Sequence, residues 1–228
     1  IVLQRVPPEL IDQRWFIAAE GFSIQPGRLA WRWKRLFDVS GASLLIALTA
    51  PLMLLVMALI RLEDDGPIFY TQIRTGLYGE PVKICKFRSM RQDAESDGIQ
   101  WASRNDPRVT RLGLFLRRLR IDELPQLFAV LAGELSLIGP RPERPELEKA
   151  LEAEIPHYRI RHWIRPGLSG WAQVNYPYGA SLDDSRMKLS FDLFYVRNAG
   201  FLLDLLILFR TIRLILKAEG AQPFPSNR

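Results

Sequence analysis

Ser43–Ile60 reads SLLIALTAPLMLLVMALI, eighteen residues without a charge. That length is at the threshold for a helix that enters a bilayer. The run is apolar on every face, which speaks against the single stripe of a helix packed on a soluble core. A secretory signal is a poor reading too, because the run starts late in the chain and Pro51 interrupts it. Pro51 removes one helical hydrogen bond and kinks the helix, at about 3 kcal/mol if unrelieved. Upstream, Arg28, Arg32, Lys34 and Arg35 interleave with Trp31 and Trp33, the cationic and aromatic belt of an interface. Downstream, Arg61 leads into a region rich in Arg and Lys. A straight span would put one basic flank outside, against the positive-inside tendency. A bent helix that enters and leaves by one face satisfies both flanks, so a re-entrant helix over 31–62 is expected.

The rest of the chain bounds the answer further. It has 228 residues, of which 48% are hydrophobic, which excludes a disordered or collagen-like chain and suits one domain with a small appendage. The net charge of +6 predicts a polyanionic partner: nucleic acid, an anionic membrane face or a phosphorylated substrate. Cys85 is the one cysteine, so no internal disulfide forms, which fits a reducing compartment. The chain begins with Ile1 rather than Met, and is expected to be a piece of something longer.

Residues 1–30 read as a polar lead-in with a short helix near Glu9–Glu20. Pro67–Arg74 and Pro81–Arg88 read as two strands of a hairpin around the turn-rich Gly76–Glu80. Gln92–Asp106 is polar loop, with Asn105-Asp106-Pro107 as a turn signal. Helices are predicted over Leu112–Leu119, Leu124–Leu131, Glu146–Glu154, Leu182–Val196 and Phe201–Lys217, with stiff Pro/Gly loops at Arg141–Pro145 and Arg165–Gly170. The fold class is therefore mainly α with a small β-hairpin. In the last helix Arg210, Arg213 and Lys217 share one face. It suits an interfacial helix with a cationic stripe or an ordinary amphipathic helix on the core, and both stay open.

Several chemistries are absent. There is no P-loop, no GxGxxG and no DxD. His157 and His162 are poorly spaced for two ligands on a helix, and no Cys or His lies near to complete a zinc site. The informative stretch is Arg117-Arg118-Leu119-Arg120-Ile121-Asp122-Glu123-Leu124-Pro125-Gln126-Leu127. Asp122 suits a helix N-cap, with Glu123 at the first helical position and Pro125 inside the first turn. Read blandly, this is a well-started helix. Read for chemistry, neighbouring residues on a helix do not face one another, so the two carboxylates should hold distinct roles. Arg117, Arg118 and Arg120 surround them with positive charge. That keeps carboxylates ionised and can draw in a pyrophosphate. An ionised Asp beside an activated phosphate is a candidate covalent nucleophile.

Other basic groups bear on a phosphate site. Lys86 and Arg88, two apart, face one side of a strand, although a solvated strand face explains them equally. In Ile138-Gly139-Pro140-Arg141-Pro142-Glu143, prolines on both sides of Arg141 restrict the backbone and lower the entropy cost of holding its guanidinium. Arg165-Pro166-Gly167-Leu168-Ser169-Gly170 is a similar rigid loop, or simply a tight turn.

With these residues the sequence resembles the bacterial sugar transferases, the polyprenyl-phosphate hexose-1-phosphate or monotopic phosphoglycosyl transferases. The matching blocks are Lys34–Asp38 before the proline-broken helix, then Phe69-Tyr70-x-Gln72-x-Arg74-x-Gly76 and Lys86–Met90. They continue with Asp122–Gln126, Ser136–Pro142, Arg165–Asn175 and Asp192-x-x-Tyr195-Val196-x-Asn198. The resemblance covers about residues 31–217. It implies transfer of a sugar 1-phosphate from a UDP-sugar to undecaprenyl phosphate at the cytoplasmic face of the bacterial inner membrane. It also implies that Asp122 attacks the sugar-linked phosphate with release of UMP, and that Mg2+ is held at Glu123 with Asp122 beside it. Lys86, Arg88, Arg117 and Arg141 are expected at phosphates or nucleotide, together with the loop residues Pro140, Pro142 and Arg165. Asp192 matches a further functional carboxylate.

On this reading 1–30 links to an upstream domain, 31–62 is the re-entrant membrane helix with its break at Pro51, 63–220 is a cytoplasmic catalytic domain ending in an interfacial helix, and 221–228 is a tail. UDP-sugar, polyprenyl phosphate and membrane lipid are the expected partners, nucleic acid is not, and a homo-oligomer is left open. The sequence departs from the family pattern at Ala50, where short members often carry Ser before the proline, and at Tyr176-Pro177-Tyr178-Gly179, where many carry Gly-Arg. A membrane-tethered binding protein would explain the charge and the helices but not an Asp-Glu pair framed by arginines. A single-pass structural anchor would leave 67–198 unexplained.

Overall fold

The structure, a computed structural model, describes residues 4–19, 27–94, 106–176, 179 and 181–217. The expected tail, most of the 92–106 loop and the Pro177-Tyr178 part of the departure from the family pattern lie outside the described residues.

The long apolar run forms a single helix, Leu29–Glu63, here α2 because the short α1 (Gln13–Ile17) precedes it. At 35 residues α2 is about 52 Å long. Pro51 sits inside it without ending it. Two residues earlier the Thr49 hydroxyl donates back to the Leu45 carbonyl at 2.7 Å, the kind of bond that bends a helix. Among the described residues, α2 is the one helix long and apolar enough to cross a membrane by length and composition.

Both ends of α2 rest on the same body. Near its start, Arg35 donates to the Val130 and Leu131 carbonyls at 2.5 Å each, capping the end of α4 (Gln126–Ala132). Buried Asp38 accepts from Ser136 Oγ at 2.9 Å and from the Leu137 amide at 3.0 Å. Near its end, Met53, Val56 and Ile60 share a core cluster with Phe87, Leu116 and Ile121. Between these anchors no residue from 43 to 52 is buried, and Leu44, Leu48 and Leu52 are exposed.

The hairpin forms as predicted. β1 (Phe69–Thr75) pairs antiparallel with β2 (Pro81–Phe87), and Tyr70 lies opposite Lys86. A second pair went unanticipated. β3 (Ser136–Ile138) runs parallel to β4 (Gly167–Ser169), so the loop expected at Arg165–Gly170 is partly a strand. Glycine makes this pairing close: a Cβ on Gly167 would stand 2.1 Å from the Gly139 amide nitrogen.

Helices α3 (Arg111–Arg118), α5 (Pro145–Glu154), α6 (Trp171–Asn175), α7 (Leu182–Asn198) and α8 (Phe201–Leu216) complete the body. Ser181 and Asp184 form a reciprocal cap that starts α7. The expected cationic stripe of α8 is split. Arg213 and Lys217 are exposed, but the Arg210 guanidinium turns inward over the Trp171 ring, 4.8 Å from its centroid. Beside Arg213, what α8 exposes is apolar, including Phe201, Leu202, Phe209 and Leu216. Asp204 and Ile207 face the core.

The lead-in also packs. The helix expected near Glu9–Glu20 shortens to a 3-10 turn, Pro8–Leu10, and α1. Trp15 is 3% exposed within the main core, and the Val6 amide donates to the Ser190 carbonyl at 2.7 Å. Residues 4–19 thus belong to the same body as α7.

Candidate active site

Asp122 does not cap a helix. Arg120 adopts a left-handed conformation (φ 56°) that ends the α3 segment, and Ile121–Glu123 then form one 3-10 turn. Helix α4 starts only at Gln126, with Pro125 at its N-cap. The Pro after Glu-Leu therefore marks the entry to α4, and the two carboxylates sit on the tight turn before it.

The turn separates the two carboxylates. Glu123 collects cations: Oε1 lies 2.6 Å from Lys86 Nζ and 2.6 Å from Arg141 Nη2, while Oε2 lies 3.9 Å from Arg120 Nη1. Burial works against its charge, but Arg141, Lys86 and Arg120 together hold it well below the usual carboxylate range. Lys86 is itself pushed down by burial and by the nearby Arg141 charge, against the pull of Glu123. The three-to-one convergence on Glu123 governs the cluster.

Asp122 is 7% exposed, and among the described residues its side chain accepts no hydrogen bond and forms no ion pair. Burial and then the Glu123 charge push its carboxyl up, against Lys86, Arg117 and Arg141. The flanking cations thus prevail over burial at Glu123, whereas at Asp122 burial and the Glu123 charge outweigh them and raise the carboxyl. Arg117 donates from Nε to Ser89 Oγ at 2.9 Å and pairs with no carboxylate among the described residues. Its positive charge bears on Asp122.

The remaining candidates distribute unevenly. Lys86, Arg117 and Arg141 come together around the Asp122-Glu123 turn. Arg88 has a different partner from Lys86: buried, it bonds Asp64 just past the end of α2. Arg165 lines a small cavity with Lys34, Asp38, Ser136 and Tyr195, where the nearby Asp38 charge acts on it. Asp192 is 1% exposed and engaged with Arg161, from Nη2 at 2.9 Å and Nε at 3.1 Å. Pro140 and Pro142 are buried beside Arg141, and each uses its carbonyl to fix the loop: Pro140 accepts from the Gly167 amide at 2.9 Å, Pro142 from Arg74 Nη1 at 3.4 Å. Arg161 escaped the sequence reading, since Tyr158–Trp163 reads as an ordinary basic turn. His162 beside it is buried, and burial followed by Arg161 pushes its imidazole down to about 3.

The bacterial sugar transferase family matches residues 29–218. The chain belongs to that family. It is 49% identical over 189 residues to the UDP-N-acetylgalactosamine-undecaprenyl-phosphate N-acetylgalactosaminephosphotransferase of Aeromonas hydrophila, covering 83% of this chain and 45% of that protein. It is 43% identical over 186 residues to the undecaprenyl-phosphate glucose phosphotransferase of Komagataeibacter xylinus, covering 79% of this chain and 35% of that one. With the UDP-glucose:undecaprenyl-phosphate glucose-1-phosphate transferase of Caulobacter vibrioides it shares 42% over 190 residues, covering 82% of this chain and 71% of that one. The match thus spans less than half of the first two relatives, while the family match in this bacterial sugar transferase runs from the start of α2 to just past the end of α8.

Proposed function

We propose that this bacterial sugar transferase moves a sugar 1-phosphate from a UDP-sugar to undecaprenyl phosphate at the cytoplasmic face of the membrane, with Asp122 as covalent nucleophile. The observation that carries this is the division of labour in one turn. Glu123 is engaged by Lys86 and Arg141, while its neighbour Asp122 is buried beside Arg117 and accepts no hydrogen bond among the described residues. The relatives' names supply the substrate class.

In the first step an Asp122 carboxylate oxygen attacks the sugar-linked phosphorus. The bond from that phosphorus to the bridging oxygen breaks, and UMP leaves with the electron pair. In the second step an oxygen of the lipid phosphate attacks the same phosphorus. The bond to Asp122 breaks, which restores the carboxylate and yields a lipid diphosphate sugar. Lys86, Arg120, Arg141 and Arg117 supply the positive charge against which the anionic phosphates can meet.

Mg2+ is part of this reading. Among the described residues no three His, Cys, Asp or Glu side chains gather to hold a metal. Magnesium commonly needs only one or two carboxylates, with substrate phosphates and water completing its shell, and the adjacent Asp122 and Glu123 fit that requirement. Glu123 would hold it, with Asp122 beside it, by giving up one of its contacts to Lys86 or Arg141, and when bound it would neutralise phosphate charge.

We further propose that α2 dips into the membrane and returns. Its two ends pack on one body, while in residues 43–52 only Ile46 packs on the core and Leu44, Leu48 and Leu52 are exposed.

UMP release from a panel of UDP-sugars with Mg2+ tests the reaction, and radiolabelled donor without acceptor tests the intermediate. Label should remain on the wild-type protein and be absent from Asp122→Asn; near-wild-type turnover by that variant would refute the nucleophile. For topology, Cys85 is replaced and single cysteines are introduced at Arg28 and Asp65. An impermeant thiol reagent added outside should reach neither, and labelling of either would refute re-entry.

A further inference from the structure

The Pro-Arg-Pro loop is tied down at four consecutive carbonyls by three different parts of the chain. Pro140 is held by Gly167, Arg141 by Arg161, Pro142 by Arg74 and Glu143 by the Thr75 amide. Three of these ties come from strands or their ends. The fourth is a buried guanidinium: Arg161 Nη2 donates to the Arg141 carbonyl at 2.8 Å.

Arg161 is costly to keep there. It is 5% exposed, and a buried charge is tolerated only when paired and hydrogen-bonded. Its partners supply that. Asp192 accepts from Nε and Nη2, the Tyr158 hydroxyl from Nη1 at 2.9 Å, and Glu148 Oε1 stands 3.5 Å from Nη1. The Tyr158 ring lies under the guanidinium at 5.2 Å. Planar and forked, the group spans these acceptors and the Arg141 carbonyl at once, which a lysine cannot do.

We propose that Arg161, oriented by Asp192, is the positioning residue that sets Arg141 against Glu123 and the donor's phosphates. This rests on the phosphoglycosyl transfer proposed above. It gives Asp192 a part in the site although its partner is Arg161 rather than Asp122: it acts through Arg161 on the backbone of Arg141. Arg141 Nη2 in turn reaches Glu123 at 2.6 Å.

The test is a double-mutant cycle on the full chain in detergent or nanodiscs, with Arg161→Lys and Arg141→Lys. Lysine at 161 keeps a cation for Asp192 but gives up the fork. UMP release by Arg161→Lys should fall about 10- to 100-fold, the cost of a misplaced catalytic group. In the Arg141→Lys background the same change should cost less than about 3-fold, because the residue being positioned is already altered. Multiplying effects in folded proteins would overturn the proposal, as would an unchanged rate. If Arg161→Lys fails to fold, Asp192→Asn takes its place in the cycle.

A second readout needs no activity. Amide hydrogen exchange over 138–144 should quicken in Arg161→Lys while the β1–β2 hairpin stays as in wild type. Unchanged exchange in that loop sinks the positioning role. A wild-type chain that releases no UMP from any UDP-sugar sinks instead the reaction on which it rests.

Discussion

Lys86 Nζ lies 2.6 Å from Glu123 Oε1, joining the end of the hairpin to the turn that carries Asp122. The carboxyl of Glu123 is held low in the folded protein, so its ionisation stabilises the fold above the ordinary carboxylate range and is lost as pH falls through its folded value. Lys86→Met removes one of its cations while Arg141 and Arg120 remain. The expected cost at pH 7 is about 1–3 kcal/mol, read by chemical denaturation. The difference from wild type should shrink in acid, where Glu123 is protonated in both.

Asp122 works the other way. Its folded carboxyl is pushed up, so its contribution favours the fold below the unfolded value and is lost as pH rises through the folded one. At neutral pH an ionised Asp122 therefore costs stability. Asp122→Asn should abolish UMP release and yet raise stability by on the order of 1 kcal/mol at pH 7, a gain that vanishes near pH 3. A variant that loses both activity and stability at pH 7 would contradict the burial of an unpaired charge.

Gly167→Ala should damage the site from a distance. The added carbon meets the Gly139 backbone at 2.1 Å, and backbone cannot step aside as a side chain can. A loss of about 3 kcal/mol or more is expected in denaturant titration, with UMP release falling further than stability explains, since Gly139 leads directly into Pro140 and Arg141.

The exposed middle of α2 separates membrane attachment from folding. Leu48→Asp touches no core, so the unfolding midpoint in detergent should stay near that of wild type. Vesicle flotation should weaken, because a charge at lipid depth costs about 3 kcal/mol. Val56→Asp, in the packed part of the same helix, should instead prevent folding.

Much of this was legible in the chain. The uncharged run fixed α2, and two short alternating segments around Gly76 announced the hairpin. Of the basic frame around Asp122 and Glu123, Arg117 and Arg120 converge there with Lys86 and Arg141, while Arg118 faces outward. What stayed hidden depends on partners far apart in sequence. Strands β3 and β4 have three residues each, too few for a period, and their mutual fit is glycine against glycine. The helix start was read too early because Asp122 resembles a cap, whereas the left-handed Arg120 inserts a 3-10 turn first. Arg161 meets Arg141 across 20 positions and Asp192 across 31, and nothing local signals either.

Lys34, in the first turns of α2, is 9% exposed and lies 2.9 Å from Asp204 of α8. A chain emerging from the ribosome gives Lys34 one carboxylate at once, Asp38 at 3.6 Å on the next turn, but makes the nearer one, Asp204, much later. A buried ammonium is held best when fully paired, so the base of the long helix gains its tighter contact only when synthesis has passed residue 204. Nascent chains truncated before that point should leave the base of the helix open to protease, which makes the last helix a latch on completion of the enzyme.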